Sequence, residues 1–238
     1  AAHEACRVAD PAEDEVIVRL ESSGGMVHAY GLAAAQLARI KEAGLNLTVC
    51  IDKVAASGGY MMACVADKIL AAPFAVVGSI GVVAQVPNFH DLLEKHDIDV
   101  EVFTAGKYKR TVTVFGENTA EAQQKFQQEL EETHKLFKDF VRKYRPSLDV
   151  EQVATGEHWY GEDAITRNLV DALQTSDSYI LEKMTDSELY AIQSRQKPTI
   201  AQKLGISQAA QAVVATAIDK LPDTLAKLES AKMPMVKK

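Results

Sequence analysis

Ser57 stands in the stretch Ala55-Ala56-Ser57-Gly58-Gly59-Tyr60, between an apolar β-branched run and a run that reads as helix. A serine at such a strand-to-helix corner faces free N–H groups and the positive dipole end of the helix behind it. A hydroxyl held there suits attack on a carbonyl, because the oxyanion that forms lies beside backbone donors. The same residue also reads as an ordinary helix N-cap, with the glycines serving close packing. A second glycine corner, Ser22-Ser23-Gly24-Gly25, follows another apolar strand and opens another helix. In a parallel sheet the two corners share an edge, so N–H groups of Gly24 or Gly25 face the same point as that of Gly58. Two such donors near a serine oxygen make an oxyanion hole. Neither corner has the glycine spacing of a nucleotide-binding loop.

A serine nucleophile needs a partner to take its proton. None of the six histidines, His3, His28, His90, His96, His134 and His158, sits in a glycine-framed loop after a strand. His134 falls on the apolar stripe of a long helix and reads as a packed residue. The other candidates are Lys107 and Lys109, in Ala105-Gly106-Lys107-Tyr108-Lys109-Arg110. A lysine desolvated there has its pKa lowered toward that of a base. The same stretch also reads as a solvated basic loop.

The elements that must position these residues alternate. Ala1 to Ala9 reads as a helix closed by Asp10-Pro11, and Val16 to Leu20 as a strand. A helix then runs to a stop at Gly44, the C′ position. Leu47 to Ile51 is a strand, followed by the Ser57 corner with a helix to Asp67, and by a strand from Lys68 to Ala71. Gly78-Ser79-Ile80-Gly81 lies inside an apolar stretch. A short helix from Asn88 to His96, a strand from Val100 to Phe103 and a loop from Thr104 to Arg110 follow. Strands this apolar, alternating with helices, indicate an α/β fold with a parallel sheet. Asn118 or Thr119 caps a long amphipathic helix, whose stripe holds Phe126, Leu130, His134, Phe137 and Val141 and which Pro146 ends. Shorter helices are expected over Leu148 to Ala154, Gly161 to Arg167 (closed by Asn168) and Ser176 to Ser194, the last capped by Ser176. From Lys197 the composition shifts to Ala, Gln and Lys. Amphipathic helices are expected there over Ile206 to Lys220 and Thr224 to Ala231, suited to a neighbouring subunit or a membrane surface.

Composition bounds the partners. The 238 residues are 47% apolar, enough for a sizeable core, and the net charge of −7 argues against nucleic acid. Of Cys6, Cys50 and Cys64, the last two fall on a buried strand and helix and read as small core residues. No apolar run reaches membrane-spanning length, and the N-terminus does not read as a signal peptide. Ala1 begins mid-pattern in a helix without a start signal, so the chain is expected to be a fragment lacking an N-terminal segment.

These blocks resemble the signal peptide peptidase A family, membrane-bound Ser–Lys peptidases with the Clp-protease/crotonase fold. Ala55 to Tyr60 resembles its nucleophile motif. Gly106-Lys107-Tyr108-Lys109 resembles its G-x-Y-K motif, which makes Lys109, not Lys107, the general base. Gly78 to Gly81 resembles a third block, whose serine, here Ser79, hydrogen-bonds the lysine amine and orients it. Thr155-Gly156-Glu157-His158-Trp159-Tyr160-Gly161 and Leu169-Val170-Asp171 resemble its downstream signature. Leu20-Glu21-Ser22 with Val54 to Cys64 looks most like the SohB branch. Position 23 is Ser where the family usually has Pro, which leaves the first glycine turn less rigid.

The resemblance implies a Clp-protease/crotonase-like fold of repeated ββα units over residues 1–196, with a helical C-terminal extension over 197–238. It implies Ser57 as nucleophile, Lys109 as base, Ser79 as its orienting group, and Gly24, Gly25 and Gly58 around the oxyanion, without metal or cofactor. It further implies unfolded, membrane-derived or signal-peptide-like peptides as substrates. A homo-oligomeric ring would share its sites between subunits. The expected place is a bacterial inner membrane, held by a segment outside this chain, with the catalytic domain in the periplasm. Two other functions use the same fold: a crotonase-like enzyme acting on an acyl thioester, and a non-catalytic scaffold.

Overall fold

The computed structural model describes residues 2–192. The first half runs α1 (Ala2–Val8), β1 (Glu15–Arg19), α2 (Val27–Glu42), β2 (Asn46–Ile51), β3 (Val54–Ala56), α3 (Gly58–Ala63), β4 (Lys68–Ala71), β5 (Val76–Gly78) and α4 (His90–Glu94). The second runs α5 (Ala120–Tyr144), α6 (Val150–Val153), β6 (His158–Tyr160), α7 (Gly161–Thr166), β7 (Ala172–Leu173) and α8 (Ser176–Lys183). One sheet has the order β1-β2-β4-β7, and every pair in it is parallel. A smaller sheet has the order β3-β5-β6, with β3 parallel and β6 antiparallel to β5.

β2 is covered on both faces, as its unbroken apolar run requires. Leu47, Val49 and Ile51 join the main core with α2 and α3, while Cys50 on the other face packs with Leu70 and Tyr179 of α8. α2 ends as expected at Gly44, which has φ +83°. Its N–H donates to the Lys41 carbonyl, and Leu45 N–H donates to that of Ile40, closing the helix in a Schellman motif. α5 starts at the cap Thr119, whose side chain accepts Ala122 N–H at 3.2 Å. Asn118 instead closes the preceding loop onto Thr113. At the far end of α5, buried Arg145 forks onto Asp171 at 2.9 and 2.7 Å. Asp171 also accepts Ile69 N–H, and the buried Tyr60 hydroxyl donates to the Leu169 carbonyl at 2.9 Å. This loop therefore ties α5, β4 and the helix behind Ser57 together.

α8 is fastened to the sheet by carboxylates. Asp52 accepts Ser176 N–H at 2.8 Å and its hydroxyl at 2.5 Å. Glu15 accepts the hydroxyls of Tyr179 and Thr48 and pairs with Lys183. Burial works to raise the Glu15 carboxyl, but the bonds from Lys183, Thr48 and Tyr179 outweigh it and hold the group below the ordinary carboxylate range. Asp52 is held low in the same way, its Ser176 bonds outweighing burial. A carboxyl with a depressed folded pKa stabilises above its unfolded pKa, and this contribution is lost as pH falls. Urea unfolding midpoints are therefore expected to drop as pH falls below about 4. Glu15→Gln should lower the neutral-pH midpoint and flatten this acid limb; an unchanged limb would contradict the anchoring role.

Four expectations change. The helix behind Ser57 ends at Ala63 rather than at Asp67. Val100 to Phe103 forms no strand: the segment finds no partner ladder, and Phe103 is 88% exposed. β-branched alternation signals a strand, but pairing makes one. The helix from Ser176 ends at Lys183, where Thr185 and Ser187 turn the chain back onto Glu182 and Lys183. Its cap is Thr175, because the Ser176 hydroxyl is taken by Asp52. The C-terminal extension expected over 197–238 lies outside the described residues.

Candidate active site

Ser57 links β3 to α3 with φ 52° and ψ −121°. A non-glycine residue in that region costs roughly 1–3 kcal/mol and persists only where its surroundings impose it. Here Ser57 N–H donates to the Gly78 carbonyl at 2.8 Å, and its own carbonyl accepts Met61 N–H at 3.0 Å. Ser57 occupies the N-cap position, yet its hydroxyl makes no capping hydrogen bond. The hydroxyl is thus not committed to the helix.

The first glycine corner is laid directly on this one. Ser22 bridges to Ala55 in parallel, its N–H donating to the Val54 carbonyl and its own carbonyl accepting Ala56 N–H. Gly24 has φ +95°, and a Cβ on it would stand 2.7 Å from Ser57 Cβ and 2.9 Å from Gly58 N. Only glycine permits that approach. Gly24 N–H is already engaged, donating to Ser22 Oγ at 3.2 Å. The N–H groups of Gly25 and Gly58 have no hydrogen-bond partner among the described residues. Gly58 is the first residue of α3, where backbone N–H groups have no partner within the helix and stay free for a ligand.

Ser79 lies alongside. The last register pair of β3 and β5 is Ala56 with Gly78, so Ser57 and Ser79 leave neighbouring strands together, tied by the bond from Ser57 N–H to the Gly78 carbonyl. Ser79 also has positive φ, 51°, and its N–H donates to the Glu157 carbonyl at 2.6 Å. The Thr155 to Gly161 block, singled out in the sequence without a role, thus braces this turn: Gly156 N–H donates to the Ile80 carbonyl, and Gly78 packs against the Trp159 ring.

Among the described residues, Lys109 is not joined to this group by a hydrogen bond or ion pair. It sits in an exposed segment, and its side chain makes no hydrogen bond or ion pair among the described residues. Lys107 pairs with Glu121 at 2.7 Å. That carboxylate's hydrogen bond, helped by Tyr108, pushes the Lys107 ammonium above the usual lysine range, the wrong direction for a base. His134 lies on α5 with Nε2 buried and unpartnered among the described residues, as a packed histidine. The chain therefore brings together Ser57, Gly24, Gly25, Gly58 and Ser79, and no hydrogen bond or ion pair among the described residues joins the Lys109 side chain to them. One neighbour escapes the sequence reading: Tyr30 of α2, whose ring touches Gly25 and Gly58. An aromatic residue just inside the helix after a glycine corner is the only signal for it.

Residues 39–190 match the model of peptidase family S49, and residues 5–37 match that of the peptidase family S49 N-terminal region. The chain is similar to the Probable protease SohB of Haemophilus influenzae, 64% identical over 193 residues that cover 81% of this chain and 55% of that protein. It is 59% identical over 170 residues to the Probable protease SohB of Buchnera aphidicola subsp. Schlechtendalia chinensis, covering 71% of this chain and 56% of the relative. For the protein of the same name from Buchnera aphidicola subsp. Acyrthosiphon pisum the identity is 58% over 180 residues, covering 76% and 54%. The chain spans about half the length of these curated relatives. Among the described residues no helix is long and apolar enough to cross a membrane. With its parallel α/β sheet of the Clp-protease/crotonase type and a family model over most of its described residues, the chain belongs to peptidase family S49, in the SohB-like branch.

Proposed function

We propose that this chain carries the catalytic centre of a serine endopeptidase that works through a Ser57–Lys109 dyad. The observation that carries the reading is the Ser57 hydroxyl itself. It is uncapped, on a strained turn, beside the glycine corners whose Gly25 and Gly58 N–H groups have no partner among the described residues. Neutral Lys109 takes the proton from Ser57 Oγ, and the oxygen attacks the scissile carbonyl. Gly58 and Gly25 N–H groups hold the oxyanion; the engagement of Gly24 N–H by Ser22 Oγ favours Gly25 as the second donor. Each such donor is worth roughly 2.7–4 kcal/mol in the transition state. Lys109 then protonates the leaving amine, and water releases the acyl group from Ser57. Ser79 orients the lysine amine.

Lys109 is proposed to act on the Ser57 of a neighbouring copy in a homo-oligomeric ring. Two features support this. Lys109 has no partner within its own chain among the described residues, and the segment that carries it exposes Val83, Phe89, Leu92, Ile98, Phe103 and Phe115. Apolar surface gathered in one segment marks an interaction site, and a head-to-tail contact between copies closes into a ring when the rotation relating them closes. An enclosed site admits unfolded chains only, so the proposed substrates are apolar, membrane-derived or signal-peptide-like peptides. Resemblance to membrane-bound peptidases extends the proposal to a bacterial inner membrane, with the site on the periplasmic side. Digestion of a peptide library, with the products sequenced, tests the substrate class. Cuts within apolar segments next to small residues are expected; a preference for charged residues at the cut would contradict it.

A further inference from the structure

Tyr30, in the first turn of α2, is half-buried between the two glycine corners. A Cβ built on Gly58 would lie 2.4 Å from Tyr30 Cγ, and one on Gly25 would lie 2.8 Å from Tyr30 Cε2. The ring therefore rests on the backbone of Gly25 and Gly58, the two proposed oxyanion donors. At its far end the phenol oxygen shares a 2.8 Å hydrogen bond with Ser22 Oγ. That same Oγ accepts Gly24 N–H, and the Ser22 backbone is bonded on both sides to β3. One side chain thus touches the Gly25 turn and the Gly58 turn, and through its hydroxyl the turn that carries Gly24.

Such a link has a physical reason to exist. The Ser22 to Gly25 turn contains two glycines and a serine at position 23, so its own backbone resists deformation weakly. Oxyanion donors act only when held about 2.7–3.1 Å from the developing charge, and a displacement of about 1 Å costs on the order of 100-fold in rate. An aromatic ring seated against both turns fixes their separation from outside the site.

We propose that Tyr30 is the positioning residue of the oxyanion hole, its ring serving as the spacer that holds Gly25 and Gly58 at their working separation. This rests on the reading of Ser57 as nucleophile given above. A spacer acts on the transition state and not on the bound peptide, so its loss falls on kcat with KM little changed. A ring that only supported the packing of α2 would lower the unfolding temperature without that split.

The test compares Tyr30→Phe, Tyr30→Leu, Tyr30→Ala and Ser57→Ala on one cleaved peptide, with kcat, KM and unfolding temperature measured for each. Tyr30→Ala is expected to lose about 100-fold in kcat with KM within about threefold. Tyr30→Phe keeps the ring and should stay within about fivefold of the parent, because only the Ser22 hydrogen bond is lost. Tyr30→Leu should fall between them and carries the test where Tyr30→Ala does not fold. A kcat within twofold of the parent for Tyr30→Ala or Tyr30→Leu, with Ser57→Ala inactive, would overturn the spacer alone. So would an equal loss in Tyr30→Phe and Tyr30→Ala. Turnover by Ser57→Ala would overturn the nucleophile assignment, and the spacer with it.

Discussion

Ser57→Ala is expected to reduce peptide hydrolysis by a factor on the order of 10⁴ or more, because the acyl-enzyme route then has no nucleophile. Stability should hardly change, within about 0.5 kcal/mol, since the hydroxyl caps nothing and alanine suffers the same backbone strain. Ser57→Gly sharpens the prediction. Glycine relieves the positive φ of 52°, so this variant should be as inactive as the alanine variant but no less stable than the parent. Activity surviving in either variant, measured on purified protein, would contradict the mechanism. Loss of folding in both would mean that the serine is held there for structure.

The second large effect concerns Lys109 and its neighbour. Lys109→Ala should be as inactive as Ser57→Ala, whereas Lys107→Ala should keep most of the activity, because Lys107 is committed to Glu121. In the parent protein the rate should rise with pH, since only a neutral amine accepts the serine proton. Mixing the two inactive proteins, Ser57→Ala and Lys109→Ala, then asks where the base comes from. If each site takes its serine from one copy and its lysine from the next, random mixed rings recover about a quarter of the parent activity. No recovery, with subunit exchange demonstrated by mass, would place both residues of a site in one chain.

Much of this arrangement was legible in the sequence, for identifiable reasons. β2 and β4 could be read because strands buried on both faces are continuously apolar, and the end of α2 because Gly44 takes a left-handed conformation that few other residues accept. The pairing of the two glycine corners followed from the topology of a parallel sheet, and Ser22 does bridge to Ala55. What escaped was set by tertiary contacts. β3 and β6 are three residues each, too short for any periodicity to show. The cap of α8 moved to Thr175 because Asp52, 124 positions before Ser176, claims the serine hydroxyl. Val100 to Phe103 has a strand's composition, and among the described residues no neighbouring strand pairs with it. Tyr30 carries no motif; its importance lies in what stands on either side of its ring.

Covalent labelling decides whether the Ser57 hydroxyl is a nucleophile. A fluorophosphonate, which reacts with activated serines, is added to the parent protein and to Lys109→Ala, and the labelled peptide is located by mass spectrometry. One adduct is expected on the parent, on Ser57 and not on Ser22, Ser23 or Ser79, with labelling strongly slowed in Lys109→Ala. An adduct on another serine, or an unlabelled Ser57 in a preparation that cleaves peptides, would contradict it.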